Sequence, residues 1–130
     1  MTLVLDTSIL IDLERKNKMT IDFLKKVITL HKSQAKITFV NAFEFLVGAK
    51  RRLPKNLEKA ELFLNEFIVL HTTNSTVRIL SDLEHKYKSR GLEVKLADLM
   101  IASLVIESNA TLLTKDKGFE RIAELNKIIV

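Results

Sequence analysis

The N-terminal stretch from Thr2 to Leu13 holds an apolar run of three, Leu3, Val4 and Leu5, cut off by Asp6. After Thr7 and Ser8 it continues apolar through Ile9, Leu10, Ile11 and Leu13. The first run has the length of a buried strand and the second suits a short helix to about Glu14. An acid placed where a hydrophobic strand hands over to a helix sits at the carboxyl edge of a sheet. In open α/β sheets that edge is where ligands bind.

The same hand-over recurs along the chain. Ile37 to Val40 reads as a second buried strand, followed by a helix from Asn41 to about Arg52. Phe67 to Leu70 reads as a third, and Thr111 to Leu113 as a fourth. A short helix over Phe119 to Leu125 and a final strand at Ile128 to Val130 follow. Between them lie helix-length segments. One is capped by Thr20, with Asp22 in its first turn. Others run over Lys55 to Glu66, from a Thr73 or Ser75 cap to Gly91, and from Lys95 to Ser108. Strands alternating with helices predict βα units, right-handed crossovers and a parallel sheet covered on both faces.

A length of 130 residues fits one domain, 1–130, and the 47% hydrophobic content is enough to bury a core. With no cysteine, thiolate metal sites, iron–sulfur clusters and a cysteine nucleophile are excluded. The longest apolar segment, Leu99 to Ile106, is too short to span a bilayer, and no basic region precedes a long apolar run, so a cytoplasmic location is expected and no membrane partner. The net charge of +5 is compatible with a polyanionic partner.

Four acids fall at one predicted edge. Asp6 follows the first strand, Glu44 the second and Asp116 the fourth. Asp98 begins a helix that must run antiparallel to the fourth strand, so it starts at the same edge. Each has an ordinary local explanation. Asp6 could cap a helix, and Asn41 with Glu44 resembles a capping box. Asp98 suits a first helical turn, and Asp116, before Gly118, suits an Asx-turn. Capping does not require all four to share one rim. Two carboxylates about 4 Å apart repel by roughly 4 kcal/mol at an effective dielectric near 20, so such a rim takes up a proton or binds a cation. An all-oxygen set favours magnesium, manganese or calcium. An acidic rim on a basic protein suggests phosphodiester chemistry.

Four runs give this pattern a more specific likeness: Leu5-Asp6-Thr7-Ser8, Glu44-Phe45-Leu46-Val47-Gly48, Asp98-Leu99-Met100-Ile101-Ala102, and Thr114-Lys115-Asp116 with Phe119. In that order the chain resembles the PIN-domain ribonucleases, and more narrowly the VapC-type toxins of toxin–antitoxin pairs. The resemblance implies an α/β fold, a single PIN-like domain with a parallel sheet of about five strands and helices on both faces. It implies a metal-dependent endoribonuclease using Mg2+ (or Mn2+), with Asp6, Glu44, Asp98 and Asp116 as catalytic and metal-holding acids. Thr7, Ser8 and Thr114 fall on supporting hydroxyl positions. An RNA substrate, a cognate antitoxin and a homodimer are implied as partners, with helices two to four forming the antitoxin groove. Two positions depart from the family pattern. Asn41 stands where many relatives have threonine, and Gly118 where many have an acid.

Among the basic clusters, Lys115, Lys117 and Arg121 flank Asp116 and are the candidates for phosphate contacts. His71 follows the third strand, but nothing pairs with it as a base–nucleophile unit requires. Phe43, Phe45, Leu46 and Val47 make the third helix apolar on most sides, so it is buried or meets a partner. The competing function is a non-catalytic RNA-binding or assembly module on the same fold. A receiver-like phospho-acceptor domain fits poorly, because it needs adjacent acids near the first strand.

Overall fold

The computed structural model describes residues 1–31, 34–52 and 54–130. The elements follow in order: β1 (Thr2–Leu5), α1 (Thr7–Glu14), α2 (Lys18–His31), β2 (Gln34–Thr38), α3 (Phe39–Arg52), α4 (Leu57–Leu64), β3 (Ile68–Leu70), α5 (Asn74–Ser89), α6 (Leu96–Glu107), β4 (Thr111–Thr114) and β5 (Lys127–Ile129). Short 3-10 turns cover Pro54–Asn56 and Lys117–Arg121. The strands form one sheet in the order β3-β2-β1-β4-β5, and every neighbouring pair is parallel. The α/β class, the parallel sheet and its five strands agree with the sequence pattern.

Alternation along the strands feeds both faces of the sheet. Leu3, Leu5 and Leu113 join Ile9, Leu10, Leu24, Phe45 and Leu64 from α1 to α4 on one side. Val4 and Leu112 join Leu83, Tyr87, Leu99, Val105 and Phe119 on the other, where α5 and α6 lie. The run predicted as too short for a membrane is the interior of α6: Leu99 and Ile101 to Val105 are all buried. Its one polar side chain in that stretch, Ser103, donates its hydroxyl to the Leu99 carbonyl at 2.7 Å, which satisfies it inside the core. No helix among the described residues is long and apolar enough to cross a membrane.

Several boundaries differ from the expected ones. The second strand begins at Gln34, three residues before the expected Ile37, and ends at Thr38, so Phe39 and Val40 open the helix instead of closing the strand. The cause of the early helix start is a reciprocal pair: Asn41 N–H donates to Thr38 Oγ1 (3.1 Å), and Thr38 N–H donates to Asn41 Oδ1 (3.1 Å). This has the form of a capping box, three residues upstream of the one the sequence suggests. Helix α2 starts at Lys18, not at a Thr20 cap, because Asn17 Oδ1 accepts the Thr20 N–H. Thr73 caps α5, with Thr76 completing the box. Gly91 follows that helix at φ +69°, the left-handed conformation that glycine tolerates best. The segment after Asp116 winds into a 3-10 turn over Lys117–Arg121 rather than a helix to Leu125.

Candidate active site at the carboxyl edge of the sheet

The strand order reverses direction of travel at β1, whose neighbours are β2 on one side and β4 on the other. The carboxyl ends of β1 and β4 therefore flank the crevice where such sheets bind ligands. Leu5 pairs with Leu113, so the next residues, Asp6 and Thr114, lie side by side. Asp6 is anchored there by its own backbone, its N–H donating to Leu113 O at 2.9 Å.

The Asp6 side chain is buried, 5% exposed, and it makes no side-chain cap on α1. Thr114 Oγ1 donates to its Oδ2 at 2.6 Å, and Asn41 Nδ2 donates to its Oδ1 at 3.1 Å. The Ser8 hydroxyl stands 3.5 Å from Oδ2, a weak contact, and accepts the Lys115 N–H at 3.1 Å. Thr114 also accepts the Asp116 N–H at 2.9 Å, so one hydroxyl ties the first acid to the backbone of the last. Asp116 forms the expected Asx-turn, its Oδ1 accepting the Gly118 N–H at 2.8 Å.

Glu44 is not spent on a cap. Its Oε1 accepts the Thr7 hydroxyl at 2.8 Å, which joins α3 to the start of α1. Asp98 sits in the first turn of α6, half-buried, and among the described residues its carboxylate has no hydrogen-bond donor. Burial pushes its pKa up to about 6, and the Asp116, Asp6 and Glu44 carboxylates add to the rise against the opposing Lys95 ammonium. Asp6 is likewise raised, chiefly by burial and further by Asp116, against the Thr114 and Asn41 hydrogen bonds. Asp98 thus feels the charge of the other three acids, and Asp6 that of Asp116, at a single rim.

Such a rim is held at a cost until a proton or a cation offsets the repulsion. Its donors are all carboxylate and hydroxyl oxygens, which suits a hard divalent cation. Among the described residues no three acids or imidazoles close tightly enough to enclose an ion by themselves. The arrangement fits a cation that keeps part of its water shell and takes one or two carboxylates.

The three basic candidates separate. Lys115 Nζ is 2.9 Å from Asp12 Oδ2, which also accepts the Thr20 hydroxyl at 2.6 Å. Burial alone would raise the Asp12 carboxyl, but these two partners hold it below its ordinary value. Arg121 Nη1 donates to the Glu93 carbonyl at 3.1 Å. Lys117 is exposed, with no ion-pair partner among the described residues. A cleft of about 440 Å³ runs from Asp98 and Gly118 between Lys95, Lys117 and Arg121. His71 is exposed and makes no hydrogen bond to the four acids. Sequence reasoning missed Thr38, Asp12 and Lys95, and it read Asn41 as a helix start, half of a capping box and a departure from the family pattern, not as a partner of Asp6. The signal for the first was available: Thr38 and Asn41 are an N-cap and N3 pair in spacing.

An open parallel sheet with one buried acid, Asp6, two half-buried ones, Glu44 and Asp98, and an exposed one, Asp116, near its switch point places the chain in the α/β class. The particular family follows from comparison: residues 3–125 match the family model described as PIN domain, and the chain belongs to the PIN-domain family, in which divalent-metal dependence is general. It is 28% identical over 123 residues to Ribonuclease VapC1 of Methanocaldococcus jannaschii, covering 94% of this chain and 82% of that protein. Its fold is similar to a chain of VapBC2 from Rickettsia felis bound to a DNA fragment from their promoter, with a TM-score of 0.86, 22% identity and coverage of 100% and 99%. It is also similar to a chain of VapBC-1 from nontypeable Haemophilus influenzae, with a TM-score of 0.83, 26% identity and coverage of 99% and 98%.

Proposed function

We propose that this chain is a metal-dependent endoribonuclease that hydrolyses RNA phosphodiester bonds, and that it is the toxin of a toxin–antitoxin pair. The observation that carries the reading is the convergence of Asp6, Glu44, Asp98 and Asp116 on one rim of a PIN-domain sheet. Asp6, Glu44, Asp98 and Asp116 would hold Mg2+ (or Mn2+), one or two of them directly and the others through its water shell. When bound, the cation supplies charge neutralisation at the phosphate and acidifies water for attack.

The residues of the chain do the rest. Asp6 is fixed at both oxygens and presents its remaining lone pairs to the rim. Asp98, which has no donor of its own and whose pKa is raised to about 6, is the acid with most to gain from a cation's charge. Thr114 keeps Asp6 and Asp116 in register, and Ser8 braces the Lys115 backbone beside them. Lys117, with Arg121, contacts the phosphate backbone, whereas Lys115 serves Asp12. Hydrolysis adds water across the P–O3′ bond, leaving a 5′-phosphate on one product and a protonated O3′ on the other.

The antitoxin and the homodimer belong to the same proposal. Met19, Phe23 and Leu30 on α2, Phe43 on α3 and Leu62 on α4 are apolar and exposed, Met19 at 84% and Leu30 at 72%. Exposed apolar side chains that form a contiguous patch mark protein-binding faces. These helices are the ones the family resemblance assigns to the antitoxin groove. Phe45, by contrast, is fully buried and is core.

The test is cleavage of a labelled RNA panel with magnesium, manganese or EDTA, running Asp6→Asn and Asp98→Asn beside the wild type. Metal-dependent cleavage lost in both variants is the expected result. A folded wild type that binds RNA without cutting any of it supports the binding-module alternative instead.

A further inference from the structure

Asn41 is fully buried, and both ends of its amide are committed. Oδ1 accepts the Thr38 N–H at 3.1 Å and the Thr38 hydroxyl at 2.7 Å. That fixes the orientation of the amide, because Nδ2 has only hydrogens to offer and must face the other way. There it meets Asp6 Oδ1 at 3.1 Å and Thr7 Oγ1 at 3.2 Å. A hydroxyl that accepts from Asn41 has one proton left to direct, and Thr7 directs it to Glu44 Oε1 at 2.8 Å. Capping α3 uses only the oxygen end of this side chain. The two bonds at the nitrogen end serve no cap, and they lead to two acids carried by different elements. A threonine at this position has a single donor, enough for Asp6 or for Thr7 but not for both.

We infer that Asn41 is a positioning residue. It holds Asp6 directly and Glu44 through Thr7, so that the two carboxylates are set as a pair before the cation arrives. The inference deepens the proposed metal-dependent activity and rests on it. Groups one step removed from a metal orient its ligands, and their loss typically weakens affinity about 10- to 100-fold.

The experiment is calorimetric titration of the metal-free protein with Mn2+, alongside thermal melting and RNA cleavage across metal concentrations. Asn41→Thr and Thr7→Val are each expected to raise the Mn2+ dissociation constant about 10-fold or more. The cleavage rate should recover at high metal, and the KM for RNA should stay near the wild-type value. Thr7→Ser restores the hydroxyl and should return to near wild-type affinity. The double variant Asn41→Thr with Thr7→Val should be no weaker than about the weaker single, since both cut one chain of bonds. Folded Asn41→Thr and Thr7→Val proteins that bind Mn2+ like the wild type overturn the inference while the nuclease reading stands. A wild type that neither binds Mn2+ nor cleaves RNA fails the functional reading first and takes this inference with it. If Asn41→Thr does not fold, Thr7→Val against Thr7→Ser decides alone, because Thr7 is only half-buried.

Discussion

Replacing Asp98 by asparagine should make the metal-free protein more stable and at the same time abolish its response to metal. The carboxyl is pushed up to about 6 from an ordinary 3.8, first by burial and then by Asp116, Asp6 and Glu44. The folded state therefore binds this proton more tightly than the unfolded chain does. The sign follows: the stability tied to that proton is complete below about pH 4 and is lost as pH rises through about 6. Two pKa units correspond to roughly 3 kcal/mol, and the partial exposure of the group reduces this to about 2 kcal/mol. At about 2.1 cal/mol/K per residue, unfolding entropy over the chain converts that to a rise of roughly 7 °C for Asp98→Asn at pH 7.5. The gap should close towards pH 4 and be flat above about pH 7. Adding magnesium at about 100 times its dissociation constant stabilises the wild type by about 2.7 kcal/mol and should leave the variant nearly unmoved. The order of the two melting curves then narrows or inverts. Differential scanning calorimetry in EDTA and in magnesium, at pH 4.5, 6 and 7.5, reads all of this. An Asp98→Asn protein no more stable than the wild type in EDTA at pH 7.5 would refute the account of a mutually repelling rim.

Four further variants probe the contacts around the rim. Thr114→Val removes the donor to Asp6 Oδ2 and the acceptor of the Asp116 N–H. Urea denaturation should show a loss of about 1–3 kcal/mol, and cleavage should fall with it. Gly118→Ala places a Cβ 3.1 Å from Asp116 Oδ1 and 3.7 Å from Asp98 Oδ2. That contact is tight for Asp116, so metal-dependent cleavage should drop while the melting temperature moves by only a few degrees. Lys115→Ala breaks the pair with Asp12 and should cost about 0.5–1 kcal/mol. The loss should be seen above pH 4 and fade as pH falls through the lowered Asp12 value, whereas Lys117→Ala should weaken RNA binding at unchanged stability.

The architecture was legible because most strand runs are short and apolar on both faces, whereas most helical segments, α6 apart, are longer and apolar on one side. That difference of period specifies a covered parallel sheet without any knowledge of the turns. The convergence of the acids was legible for the same reason, since parallel strands deliver their carboxyl ends to one edge. Boundaries were not, and the reason is particular. Phe39 and Val40 are β-prone and apolar, yet the Thr38–Asn41 pair nucleates a helix through them. Local hydrogen bonding there outweighed propensity, which is a weak preference next to a satisfied helix terminus.

That misread boundary bears on the site as well as on the fold. Starting α3 at Phe39 puts Asn41 inside the helix, three residues before Glu44, so both lie on one face. Had the helix begun at Asn41, its amide oxygen would cap the chain and Glu44 would fold back onto the helix end. Glu44 would then not be available to Thr7. A shift of two residues in a helix start therefore separates an ordinary capping box from a linked pair of acids. Sequence spacing cannot distinguish them, because Asn41 and Glu44 stand three apart in both. What distinguishes them is Thr38, which takes over the cap and leaves the Glu44 carboxylate to the Thr7 hydroxyl, beside the Asp6 that Asn41 Nδ2 holds.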